Sequence, residues 1–82
     1  MLSSAGVVTI DLHGKNQYQA RVAVDAALRR AKAGVYRLRL IHGFHGGDAL
    51  RTMVRDVYGA DPRVKRLDCY RDGVTELVLR EF

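Results

Sequence analysis

The chain has 82 residues, 48% hydrophobic and 28% charged, so one small domain spanning residues 1–82 is expected, with its core at about residues 7–80. The single cysteine, Cys69, excludes an intramolecular disulfide and a zinc site built from four cysteines. No apolar run approaches the roughly 20 residues that span a bilayer, and the first five residues lack the pattern of a secretory signal. A cytoplasmic protein without membrane association is therefore expected.

The charge balance indicates an anionic partner. Fourteen Lys and Arg residues, eleven of them Arg, stand against nine Asp and Glu and give a net charge of +5. The isoelectric point of about 9.9 is typical of nucleic-acid-binding domains, and guanidinium groups suit bidentate phosphate contacts. A solubilising surface on a small protein would give the same composition, so charge alone does not identify the partner.

The first half of the chain predicts a strand followed by a helix. A β-branched, apolar run over residues 7–12 indicates a strand. From residue 17 the apolar residues recur at helical spacing, with Asn16 as the predicted N-cap and Gln19 completing a capping box. Gly34 is the predicted C′ glycine that ends this helix.

A second strand and a second helix follow. Residues 35–41 alternate, so that Arg37 and Arg39 occupy one face of the predicted strand and apolar residues the other. A glycine-rich turn comes next. Asp48 is the predicted N-cap of a helix that ends at Gly59.

The last two predicted strands, 64–70 and 74–80, are joined by the hairpin turn 71–73. The order β-α-β-α-β-β predicts an α/β fold, a two-layer sandwich with a four-stranded mixed sheet. If both crossovers are right-handed and run in the same direction along the sheet, both helices lie on one face of the sheet and the other face is open to solvent. The order of the strands within the sheet does not follow from the sequence.

Three candidate catalytic residues, Asp11, His13 and His42, stand at the ends of the first two strands. Parallel strands end at the same edge of a sheet, where ligands of open α/β sheets bind. A histidine exchanges protons near neutral pH, and a carboxylate can orient its ring. We therefore predict phosphodiester cleavage with the two histidines as acid and base and Asp11 as the orienting group.

Phosphate contacts are expected from the glycine-rich turn and from nearby cations. Free backbone N–H groups and the first turn of the second helix favour an anion. The candidate nucleic-acid- and phosphate-binding residues are Gly43, Gly46, Gly47, Arg51, Lys15 and His45.

Other roles for these residues stay open. Asp11 could cap a loop, His13 could be a turn residue bonded to backbone, and His45 could be an exposed loop residue. Asp11, His13 and His42 could also ligate a divalent metal such as zinc or manganese, but no HxxxH or paired-carboxylate spacing supports such a site. No metal site and no cofactor are predicted. The four tyrosines are scattered, so base stacking on an aromatic platform is not predicted either.

Two motifs resemble those of the Smr (small MutS-related) domain family. Ile10-Asp11-Leu12-His13-Gly14 is similar to the LDLHG motif that opens Smr domains. Ile41-His42-Gly43, with Gly46-Gly47 and Ala49-Leu50-Arg51, resembles the family's HGxG turn and the helix after it, although His45 stands where that motif has glycine. Residues 73–75 and 77–79 resemble the closing strand, so the similarity runs from about residue 8 to residue 80.

The resemblance implies a βαβαββ sandwich similar to the C-terminal domain of translation initiation factor three, and binding to DNA or RNA. Many Smr domains are endonucleases that nick DNA or cleave mRNA, some of them at ribosomes. The family's functional positions fall on Asp11, His13 and His42. The main hypothesis is an endonuclease acting on RNA or DNA. The alternatives are a non-catalytic module that binds nucleic acid or the ribosome, and a small-molecule or metal site. The sequence does not indicate an oligomeric state.

Overall fold

The computed structural model describes residues 2–4, 6–43 and 49–81. Its elements in chain order are β1 (Leu2–Ser4), β2 (Val7–Asp11), α1 (Gln17–Arg30), β3 (Arg37–Ile41), α2 (Ala49–Met53), a π-helical turn that continues α2 (Val54–Tyr58), β4 (Arg66–Arg71) and β5 (Val74–Val78). The five strands form one sheet in the order β1-β2-β3-β5-β4.

The predicted two-layer α/β sandwich is confirmed. Strands β2 to β5 are the predicted four-stranded mixed sheet, with β2 and β3 parallel and β5 antiparallel to both β3 and β4. A short additional strand, β1, pairs antiparallel with β2 at the sheet edge. Its three residues are too few to carry a periodic pattern, which is why it was not predicted.

The N-terminus of α1 has the predicted capping box. The Asn16 side chain accepts a hydrogen bond from the Gln19 N–H at 2.8 Å, and the Gln19 side chain accepts one from the Asn16 N–H at 3.0 Å. The predicted end at Gly34 is wrong, because the helix already ends at Arg30. Ala31 is the C-cap in an extended conformation, and its N–H donates to Leu28, so no left-handed glycine is needed there.

One hydrophobic core lies between the sheet and the helices. The buried apolar side chains come from both helices and from the sheet face that they cover: Val8, Ile10, Leu12, Ala20, Val24, Ala27, Leu28, Leu38, Leu40, Met53, Val54, Tyr58, Val64 and Leu77. Both helices therefore pack on the same face, as right-handed crossovers require. In the part of the chain that the structure covers, neither helix is long and apolar enough to cross a membrane.

The opposite sheet face carries a ladder of ion pairs. Glu76 is almost completely buried, with 2% exposure, and its carboxylate contacts the guanidinium groups of both Arg37 and Arg39. Arg37 also donates to Asp68 at 3.0 Å, and this hydrogen bond holds the pKa of Asp68 below its usual value. The predicted alternation along β3 is thus confirmed, and its two arginines are engaged within the sheet.

Tyr58 fixes the end of the second helix against α1. Its ring is fully buried, and its hydroxyl donates to the Asp25 carboxylate at 2.9 Å, with the Arg21 carbonyl oxygen as a second acceptor 3.2 Å away. Burial, reinforced by the hydrogen bond to Asp25, raises the pKa of Tyr58 well above its ordinary value. The residue therefore stays neutral in the folded protein under conditions that ionise tyrosine in an unfolded chain.

We expect Tyr58→Phe to lower the free energy of unfolding at neutral pH by about 1 kcal/mol, because the substitution keeps the ring but removes its hydrogen bonds. Since the folded pKa is raised, the stabilisation from neutral Tyr58 is complete below pH 10.0 and is lost as the pH rises above it. Urea unfolding of Tyr58→Phe should therefore show a smaller alkaline loss of stability than the parent. The stability of Tyr70→Phe, which alters a half-exposed tyrosine, should fall with rising pH as that of the parent does. Equal alkaline declines in both variants would contradict this role of Tyr58.

Candidate functional site

Asp11 ends β2, and its carboxylate caps the loop that follows. Oδ1 accepts a 2.9 Å hydrogen bond from the backbone N–H of His13. Leu12, between them, is fully buried, and its N–H donates to the Ile41 carbonyl at 2.8 Å, which anchors the loop to β3. Within residues 6–43 and 49–81, no hydrogen bond joins the carboxylate to the His13 ring. Asp11 therefore positions the backbone of His13.

His13 is exposed and lies next to the end of β3. It belongs to the turn after β2, where Gly14 has a φ of 81°. A Cβ atom placed on Gly43 would lie 3.7 Å from Cδ2 of His13, so the imidazole lies alongside the backbone that follows His42. The predicted meeting of the two strand ends is therefore present.

His42 is only 7% exposed, and both of its ring nitrogens have partners. Nδ1 lies 2.9 Å from the carbonyl oxygen of Gly43, and Nε2 lies 2.9 Å from the hydroxyl oxygen of Thr75. A carbonyl can only accept, so Nδ1 carries the proton. In the neutral ring Nε2 then accepts from the Thr75 hydroxyl. The ring is fixed in one orientation and one tautomer.

His42 and Asp11 reach the shared edge from opposite faces of the sheet. His42 continues the helix-facing side of β3 after Leu40, and its partner Thr75 lies on the same side. Asp11 alternates with the buried Leu12 and faces outward. Across the described ranges, no group of three His, Cys, Asp or Glu residues could hold a metal ion.

A cavity of about 210 Å³ lies beside His42. It is bounded by α2, the end of β3 and the turn between β4 and β5. Its polar lining comes from His42, Arg51, Cys69, Arg71, Asp72 and Thr75. The cavity therefore places two guanidinium groups, a hydroxyl, an imidazole, a thiol and the carboxylate of Asp72 around one space.

Arg51 and Arg71 are the cationic groups of this cavity. Both are exposed, and no carboxylate in the described ranges lies within ion-pair distance of either, in contrast to the paired Arg37, Arg39 and Arg63. A guanidinium group without a carboxylate partner keeps its donors for an external anion.

The end of β3 is tied to the β4–β5 turn through one acceptor. The Gly73 carbonyl accepts the N–H groups of His42 at 2.9 Å and of Gly43 at 3.0 Å. The Gly43 N–H, predicted as a free phosphate donor, is therefore engaged. Arg51 lines the cavity, whereas Lys15 is exposed in the loop before α1 and does not line it. The other three predicted contacts, His45, Gly46 and Gly47, lie outside the described residues.

Sequence reasoning missed Arg71, Thr75 and Cys69 as neighbours of His42. Arg71 was interpreted only as part of a hairpin turn. Its position becomes informative once β5 is known to lie between β3 and β4, because the hairpin turn then returns to the end of β3. The alternation of the closing strand, which puts Thr75 on the helix side, was the available signal.

Residues 10–76 match the family model of the Smr domain. The chain belongs to the Smr domain family. This Smr domain is 37% identical over 83 aligned positions to Endonuclease MutS2 of Thermus thermophilus, an alignment that covers 90% of the chain and 11% of that protein. It therefore spans about a tenth of the length of the curated relative.

The fold comparison agrees. The crystal structure of the Smr domain of Thermus thermophilus MutS2 superposes with a TM-score of 0.79 at 36% identity, covering 90% of this chain and 99% of that one. The predicted family and the α/β sandwich are thus both confirmed.

The hydrogen bond from Thr75 to His42 gives a testable stability difference. Thr75→Val leaves the buried Nε2 without its donor, so we expect the free energy of unfolding to fall by about 1–3 kcal/mol. Thr75→Ser keeps the hydroxyl, so its free energy of unfolding, measured by chemical denaturation, should fall by less. An equal loss in the two variants would mean that Thr75 acts through packing alone.

Proposed function

We propose that this Smr domain binds nucleic acid at the cavity beside His42 and cleaves a phosphodiester bond there. The observation that carries the proposal is that Arg51 and Arg71, neither with a carboxylate partner in the described ranges, share one cavity with a histidine whose tautomer is fixed. The net charge of +5 and the similarity to an endonuclease add support.

Phosphate binding is the first step. Arg51 comes from α2 and Arg71 from the end of β4, so a phosphate between them would be held from two separate elements. Each guanidinium presents paired N–H donors that match two phosphate oxygens. Their charge would also stabilise the additional negative charge of the pentavalent transition state.

Proton transfer can use His42 through Thr75. The attacking hydroxyl, either the RNA 2′-hydroxyl or water on DNA, gives its proton to the Thr75 oxygen. The Thr75 proton passes at the same time to Nε2 of His42. The new P–O bond forms as the bond to the leaving oxygen breaks, and the His13 ring, which lies beside the cavity-lining Gly43, donates a proton to that oxygen as general acid. Asp11 acts as a positioning residue, since it holds the His13 backbone.

A second candidate function is a binding module without catalysis. His42 is buried and both ring nitrogens are bonded inside the protein, which is also the arrangement of a purely structural histidine. Such a module would use the same two arginines for phosphate but would leave the polynucleotide intact. Cleavage and binding must therefore be measured on the same variants.

We expect His13→Ala to reduce cleavage of labelled RNA or DNA by about 100-fold or more, the range that general acid catalysis contributes. Binding should be nearly unchanged, because Arg51 and Arg71 hold the phosphate, whereas His13 lies at the rim of the cavity beside Gly43. Assays with and without chelator, on single-stranded, duplex and structured substrates, give the rates. A 2′,3′-cyclic phosphate product would identify the RNA 2′-hydroxyl as the attacking group. Binding without cleavage of any substrate by the parent would favour the binding module.

The phosphate role of Arg51 has a matched control on the same helix. The slope of log affinity against log salt concentration should be less steep by about 0.7–0.9 in Arg51→Gln, which is the change expected for the loss of one phosphate contact. Arg55→Gln, which alters an exposed arginine outside the cavity lining, should leave the slope unchanged. Equal slopes in Arg51→Gln and the parent would remove Arg51 from the site, and a parent that binds no nucleic acid at low salt would contradict the proposed function.

A further inference from the structure

Tyr70 is a half-exposed aromatic ring at an irregularity of β4. The register of β4 against β5 shifts between Cys69 and Arg71, so Tyr70 is the extra residue of a β-bulge. Bulges redirect side chains, and this ring reaches the open face of the sheet, where the Cζ atom of Arg39 lies 4.1 Å from the ring centroid. Tyr70 remains 50% exposed.

The ring rests on a rigid support. Arg39 is fixed from below by the buried carboxylate of Glu76, which accepts from its Nε at 2.7 Å. Cation–π contact with a guanidinium held in this way restricts where the Tyr70 ring can lie. A ring that is ordered before binding loses little entropy when a ligand stacks on it.

Arg71 connects this ring with the cavity of the proposed active site. Its side chain lines the cavity beside His42, and its Cζ atom also lies 5.5 Å from the centroid of the Tyr70 ring. A separate shallow groove of about 470 Å³ lies beside Tyr70 on the open sheet face, lined also by Arg37, Arg39, Asp68 and Glu76. The Arg71 side chain therefore adjoins both the cavity and the Tyr70 ring.

We propose that Tyr70 stacks with an unpaired base of the bound nucleic acid, next to the phosphate held in the cavity, so that the preferred ligand is single-stranded at this point. This inference rests on the proposed function. In a duplex each base is stacked between its neighbours, whereas an unpaired base presents a free π-face to an aromatic side chain. The base takes the place of Arg71 over the ring, and the Arg71 guanidinium turns to the phosphate.

The sequence does not predict an aromatic platform for base stacking. Tyr70 is instead a single ring that is supported by Arg39. Tyr70 and Arg39 are two strands apart in the sheet, and neither the bulge nor the buried Glu76 that supports Arg39 can be identified from a list of scattered tyrosines. Tyr18 is more exposed, at 76%, but it lies on α1 and does not line the cavity or the groove. It is therefore the matched control.

The test compares Tyr70→Leu with Tyr18→Leu in binding to labelled strands of about 12 nucleotides, a length within the usual site sizes, as RNA and as DNA. We expect Tyr70→Leu to bind both single strands about tenfold more weakly, the range for one lost stacking contact, while duplex affinity hardly changes. The salt slope should stay that of the parent, because no phosphate contact is removed. Tyr18→Leu should bind as the parent does. A loss confined to RNA or to DNA would identify the strand type that stacks.

A fluorescent variant that retains the aromatic ring keeps the test independent of folding defects. The chain has no tryptophan, so Tyr70→Trp introduces a single indole that retains stacking. Its fluorescence should be quenched when a single strand binds, whereas Tyr18→Trp should show no change. Unchanged fluorescence of Tyr70→Trp with strand bound, or parental affinity in Tyr70→Leu, would overturn the stacking role while leaving the proposed function intact. A parent that binds no nucleic acid would overturn both.

Discussion

One backbone oxygen organises the candidate site. The Gly73 carbonyl accepts the N–H groups of both His42 and Gly43 and so joins the end of β3 to the turn between β4 and β5. That turn needs the left-handed conformation of Gly73, whose φ is 77° and which a side chain would strain. Because the turn is held there, Arg71 and Thr75 come to lie around His42, and the cavity forms between them and α2.

The distribution of charge matters more for function than its total. Arg37 and Arg39 neutralise a buried carboxylate on the open face of the sheet, where they stabilise the fold. Arg51 and Arg71 have no such partner in the described ranges, and both face the cavity. The proposed anion site therefore depends on these two cations facing one cavity, and not on the net charge of +5 alone.

Local features were predictable from the sequence and long-range ones were not. The capping box of Asn16, the alternation along β3 and the hairpin turn at Gly73 depend on a few neighbouring residues, and all three are present. The order of the strands depends on how the last hairpin docks, so the alternation of the closing strand could place Thr75 on the helix side but not beside His42. The prediction that His13 and His42 share one edge succeeded because parallel strands end together.

In the proposed function, a backbone phosphate binds in the cavity beside His42. A ¹H–¹⁵N NMR titration with a short single-stranded oligonucleotide tests it most directly. The largest shifts should fall on the backbone N–H groups of Gly43 and Thr75 and on the Nε–H groups of Arg51 and Arg71. Shifts confined to the exposed face of α1, with those four groups unmoved, would contradict the account.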